Sequence, residues 1–257
     1  MKKQTAQNRI RLWAVLFWIA VWQVGSMALQ AAYPNGHLLL PSPITALQRL
    51  GELALTVVFW QSIGRSFLRI IGGFLLSCVA ASLLAVPDSR WKWVRELMGP
   101  LVAAIKTVPV ASFIILALFW LDSRSLALFI SFLMVFPPVY LNVLEGIRQT
   151  DRELLEMARV FRVPLWRQIY GIYIPSVMPY FRTAVSLGLG LCWKAGIAAE
   201  VIGLPAGSVG EQLYSSKVYY MMPDLFAWTA VIVLVSVVFE RLFLRLIDAM
   251  VGKAGVK

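Results

Sequence analysis

The chain has 257 residues, 60% of them hydrophobic and only 14% charged, against roughly 25% in an ordinary soluble domain. Its 24 Lys and Arg face 13 Asp and Glu, a formal net charge of +11. Disorder is excluded because it needs low hydrophobicity, and a water-soluble fold this apolar would carry large greasy patches. Nucleic-acid binders are basic but far more polar. What remains is an all-α polytopic membrane protein, one transmembrane domain over residues 1–257 with no nucleic-acid partner.

Six runs are apolar enough for the ~20 residues that a ~30 Å hydrocarbon core requires: residues 12–32, 67–86, 98–121, 126–144, 175–202 and 225–244. The first lacks a small-residue cleavage site and reads as an uncleaved anchor rather than a signal peptide. Between the first two, Leu40-Pro41-Ser42-Pro43 is a rigid turn. Ser42 before Pro43 is an N-cap with proline at the first helical position, opening a helix at the outer interface with Ile44, Leu47, Leu50 and Leu53. Residues 203–224 form a second outer stretch, rich in Gly and Pro.

The basic residues set the orientation. With the N-terminus in the cytoplasm, sixteen of the 24 fall inside: Lys2, Lys3, Arg9 and Arg11; Arg90, Lys92 and Arg95; Arg148, Arg152, Arg159, Arg162 and Arg167; Arg241, Arg245, Lys253 and Lys257. Both termini are then cytoplasmic.

Cys78 and Cys192 lie in apolar runs and read as packing residues; His37 is the single histidine. No metal-ligand spacing, phosphate loop or nucleophile motif occurs, so no metal, cofactor or catalytic residue is expected. If ATP powers the protein, another chain binds it.

The loop at 147–173 is too long for a connector. Thr150-Asp151-Arg152-Glu153 fits a capping box, and Leu154, Leu155, Ala158 and Phe161 form an apolar stripe at helical spacing. Val163-Pro164 stops that helix, because the residue before proline is pushed out of the helical region. A second short helix follows with Leu165, Trp166, Ile169 and Tyr170. The pattern is a compact knob, and it fits both a helix pair lying on anionic lipid and a docking element for a cytoplasmic partner.

Glu156-Met157-Ala158, then Arg162, then Ile172-Tyr173-Ile174-Pro175 resembles the EAA loop of bacterial ABC importer permeases, with Met157 in place of the first Ala and Arg162 in place of the Gly. Leu40-Pro41-Ser42-Pro43, Ser66-Phe67-Leu68-Arg69 with Gly73-Phe74, Phe136-Pro137, and Trp193 with Ala199-Glu200 are similar to the nitrate/sulfonate/taurine-type branch. The resemblance spans residues 40–250. It implies the transmembrane subunit of a small-solute importer in the bacterial inner membrane, not itself an enzyme. It also implies a second permease copy, two cytoplasmic ATP-binding subunits and an external solute-binding protein. The ATPase-coupling residues would be Glu156, Ala158, Arg159, Arg162, Val163 and Pro164.

Charges inside spans cost roughly 2.5–3.5 kcal/mol each and need a reason. Lys106, three residues before the helix breaker Pro109, and Lys194 either line a substrate path or pair with a buried carboxylate such as Glu200. Lys194 and Glu200 are six apart, about 240° around a helix, and so do not pair with each other. Glu200 is a gating or pairing residue, and Trp193 lines the path or packs. Arg69, near the outer surface, is expected to snorkel.

Overall fold

In a computed structural model, residues 12–33 and 39–253 are described. Lys2, Lys3, Arg9, Arg11, His37 and Lys257 lie outside them. The described residues form helices without strands: α1 (Leu12–Ala32), α2 (Pro43–Ala54), α3 (Val57–Arg90), α4 (Lys92–Thr107), α5 (Val110–Ala117), α6 (Ser123–Arg148), α7 (Arg152–Val160), α8 (Leu165–Gln168), α9 (Ile174–Gly203), α10 (Val209–Val218) and α11 (Met222–Lys253). Among the described residues, four helical runs are long and apolar enough to cross a membrane, or five if a bent pair counts as one span. The chain divides into two compact units, residues 1–60 with 212–231 and residues 61–211 with 232–257.

In the first unit, Ser42 caps α2 as its sequence suggests. It accepts from the Thr45 amide at 3.1 Å, with Pro43 in the first turn. The indole of Trp22 on α1 donates to the Pro41 carbonyl, and Ser26 donates to that of Leu40, so the proline turn is tied back to α1. Arg49 of α2 bridges to Asp224 at the start of α11, and Phe59 packs on Trp228. The Asp224 and Glu52 carboxylates raise the Arg49 pKa further above its ordinary value, so that guanidinium stays charged.

The second unit is a bundle of α3, α6, α9 and α11. Gly73 of α3 meets the Leu128 backbone of α6, and Asp88 of α3 meets Arg148 of α6, so these two helices run parallel. α9 is antiparallel to both: Gly188 faces Val135, Gly196 faces Ile70 and Ser131, and Gly203 faces Leu126. A Cβ on Gly196 would sit 2.6 Å from Ile70 and 2.7 Å from the Ser131 hydroxyl, so glycine there lets three helices meet. α11 runs parallel to α3, with Phe239 against Phe67 and Phe243 against Phe74.

Several boundaries differ from the sequence expectation, each for a local reason. The second apolar run, expected at 67–86, lies in a 34-residue helix, because Thr56 caps it at the Phe59 amide and the polar residues 61–66 stay helical. The run 98–121 is not one straight span. It breaks at Pro109, where α4 and α5 meet at 104°. Val108, preceding that proline, is extended (φ −73°, ψ 131°). The second knob helix is not separate either: α8 passes through a π-helical turn, Ile169–Tyr173, into α9. Pro175 removes the amide that would donate to Gly171, and the wider turn absorbs that loss.

Candidate functional site

The knob is α7 and the turn after it. Its N-cap is Asp151, which accepts from the Glu153 amide at 2.8 Å, and not Thr150. Thr150 instead donates to the Gly146 carbonyl and closes α6. Of the expected apolar stripe only Ala158 is buried. Leu154, Met157, Val160 (77% exposed) and Phe161 (74% exposed) are uncovered. Glu156 and Arg159 are exposed, and neither makes an ion pair among the described residues. The helix ends in a Schellman motif, the Arg162 amide donating to Arg159 and the Val163 amide to Ala158. Arg162 takes φ +49°, the left-handed conformation that glycine adopts most readily. Arg162 thus holds a turn of the kind glycine favours, and Pro164 takes the N-cap position of α8.

At this end of the bundle, Asp88 is buried, a residue the sequence reading passed over. It accepts from the Tyr140 hydroxyl, from Arg95 at 3.3 Å and from Arg148 at 3.4 Å. The signal was present: Asp88 is an acid at the end of an apolar run, directly before Arg90, Lys92 and Arg95. The cluster ties together the ends of α3 and α6 and the start of α4.

Glu200, completely buried near the end of α9, anchors the opposite end. It accepts the Ser66 hydroxyl at 2.6 Å, the Gly210 amide at 3.2 Å and Arg69 at 3.4 Å. Ser66 in turn accepts from the Val209 amide. One carboxylate therefore joins α3, α9 and the N-terminus of α10, where Ser208 also caps the Glu211 amide. Arg69 does not snorkel; it turns inward to Glu200, which has no other charged partner among the described residues. Glu200 pairs with neither lysine. From Ser66 to Asp88 the rise along α3 is about 33 Å, close to a hydrocarbon core. The two carboxylate clusters thus lie about one membrane thickness apart.

Lys194 lies six residues before Glu200, roughly 9 Å farther into that thickness. It is exposed and makes no ion pair among the described residues. Thr183, Leu187, Gly190 and Lys194 recur at intervals of four, three and four, so α9 presents one uncovered stripe opposite the face it buries on α6. Trp193 is 5% exposed, packs near Phe67, and its indole N–H has no partner among the described residues. Trp193, Lys194, Ser236 and Glu240 line a cavity of about 350 Å³ between α9 and α11. Glu240 accepts from Ser186 there. Lys106 is elsewhere, exposed in the last turn of α4, where a cation complements the helix dipole. The structure does not bring Lys106, Lys194 and Glu200 together.

Residues 73–253, most of the bundle and the whole knob, match the family described as binding-protein-dependent transport system inner membrane component. The chain belongs to that family. This permease is 28% identical over 233 residues to the putative aliphatic sulfonates transport permease protein SsuC of Bacillus subtilis, covering 90% of this chain and 82% of the relative. It is 26% identical over 181 residues to the nitrate import permease protein NrtB of Synechocystis, 66% and 65% covered. It is 23% identical over 235 residues to the riboflavin transport system permease protein RibX of Chloroflexus aurantiacus, 88% and 86% covered. The permease is an integral inner-membrane protein of the ABC transporter class, on the nitrate/sulfonate branch.

Proposed function

We propose that this permease is the transmembrane subunit of an ATP-driven, binding-protein-dependent importer, and that the knob at 147–173 couples it to the ATPase. In this reading the six apolar runs span the membrane, both termini are cytoplasmic, and two copies form the path. Two ATP-binding subunits sit below, and the segments 33–64 and 203–224 receive the solute-binding protein. The observation that carries the reading is α7: a short, well-capped helix whose apolar side chains are uncovered and whose Glu156 has no ion-pair partner among the described residues. A groove on a partner accepts such a helix, and Glu156 sets its register against a basic group there. ATP-driven closure of the two ATPase subunits would then bias the spans between inward- and outward-open states.

The proposed substrate is a small anion. Lys194 supports this: an unpaired cation at membrane depth is costly unless it faces water or a ligand. It shares a cavity with the Trp193 N–H, which has no partner among the described residues, and with Glu240, whose carboxylate already accepts from Ser186. Relatives named for both anions and riboflavin leave the substrate open at the level of the family, so the assignment rests on Lys194 having no ion-pair partner among the described residues.

The test is affinity purification of tagged permease from membranes, together with uptake by Glu156→Ala. ATPase subunits should co-purify with the wild type, and the variant should lose both the ATPase and uptake while its own thermal stability stays unchanged. Uptake by Glu156→Ala at the wild-type rate sinks the coupling role.

A further inference from the structure

We infer that the permease holds an anionic phospholipid in a cavity at the knob end of the bundle; the leaflet assigned rests on the cytoplasmic placement proposed above. The cavity measures about 500 Å³, within the roughly 300–1,000 Å³ of sites that bind small molecules. Its wall is mostly aliphatic and aromatic and comes from α3, α6, α8, the π-helical turn and α9. Val86 and Arg90 belong to the end of α3, Val143 and Arg148 to the end of α6, Ile169 to the π-helical turn, and Val177 to the start of α9.

The two arginines decide the chemistry of the occupant. Arg90 is exposed and makes no ion pair among the described residues. Arg148 gives one N–H to Asp88 and has five in all, so most of its donors have no partner among the described residues. An apolar chamber with two cations on its wall suits an acyl chain carrying a negative head, and suits neither a neutral lipid nor a soluble anion. Basic pockets between spans on the cytoplasmic side are a recurring way of holding such headgroups.

The depth agrees. Trp91 and Trp93, directly after Arg90, are stacked with centroids 6.0 Å apart and are both exposed. Exposed indoles of a membrane protein settle at headgroup level, so the arginines beside them meet phosphates. Because the cavity wall joins α3 and α6 to the turn that follows the knob, a bound lipid would brace the knob against the bundle.

Native mass spectrometry of the assembled transporter, stripped of lipid and then supplied with phosphatidylglycerol or phosphatidylcholine, tests the inference. The wild type should retain phosphatidylglycerol in preference. Arg90→Gln should lower that retention about fivefold, the effect of one basic residue near an anionic headgroup, and leave phosphatidylcholine unchanged. Val86→Trp, which fills the chamber from an exposed position, should abolish it. Lys92→Gln, a neighbouring charge off the cavity wall, should leave it intact. Equal retention of the two lipids, wild-type retention by Arg90→Gln or Val86→Trp, or an equal loss in Lys92→Gln each overturns the site. Lipid is counted on the permease mass, whereas absence of ATPase from every sample counts against the importer reading instead.

Discussion

Ser66 on α3 donates its hydroxyl to Glu200 on α9 at 2.6 Å, across 134 residues of sequence, and the same oxygen of Ser66 accepts the Val209 amide. Glu200 is thus the hub on which the end of α9 and the start of α10 are hung. Removing one partner of a buried ion pair typically costs about 3–5 kcal/mol, because the other charge is left without compensation. Glu200→Ala should therefore sharply lower the thermal stability of the solubilised permease. Ser66→Ala should cost less, about 1–3 kcal/mol. Melting curves unchanged in both variants would show that Glu200 is not the hub.

Arg162 should gain from replacement by glycine. A side chain in the left-handed region costs roughly 1–2 kcal/mol, and the Schellman bonds are made by backbone groups that glycine keeps. Arg162→Gly should raise the melting temperature, whereas Arg162→Val should lower it. A melting temperature that falls in the glycine variant would mean that the Arg162 side chain itself holds the turn.

Lys194 separates a transport role from a structural one. Lys194→Leu removes a charge that costs roughly 2.5–3.5 kcal/mol at membrane depth and has no ion-pair partner among the described residues. Stability should hold or rise while uptake of an anionic substrate falls. If uptake persists and stability drops, Lys194 is a structural cation.

The Arg182–Asp248 pair, at 2.5 Å, ties the start of α9 to α11 beyond the 225–244 run. The Arg182 guanidinium holds the Asp248 carboxyl below the ordinary carboxylate range. A carboxyl lowered by folding stabilises fully above its unfolded pKa of about 3.9, and that stabilisation is lost as pH falls through the folded value. Both side chains are about half exposed, so water screens the pair and its worth stays under about 1 kcal/mol. Melts of wild type and Asp248→Asn should differ slightly at pH 7 and converge near pH 3. A gap that widens in acid contradicts the pairing.

Features governed by neighbours in sequence were legible in advance. Ser42 before Pro43 caps α2 because both effects act within one turn. Pro109 reads as a helix breaker because its ring constrains the residue beside it, but the 98–121 run across it does not read as two helices bent by 104°. The apolar runs at 126–144 and 175–202 fall inside α6 and α9 because burial of an apolar stretch needs no particular partner. The capping assignment missed by one residue, since Thr150 and Asp151 are both competent caps and only the end of α6 decides between them.

Composition and local pattern, then, determined a helical membrane protein with a knob between its fourth and fifth apolar runs. The tertiary structure alone decided where each charge goes. Arg69 reads as a snorkelling residue until Glu200, 131 positions away, takes its place beside it. Asp88 is unremarked until Tyr140, Arg95 and Arg148 converge on it. Lys194 is one of several intramembrane charges until it is seen to face outward, with no ion-pair partner among the described residues. Hydrophobicity is summed along the chain and so can be read from it. An ion pair depends on which helices meet, at what register and on which face, and only the folded bundle fixes all three.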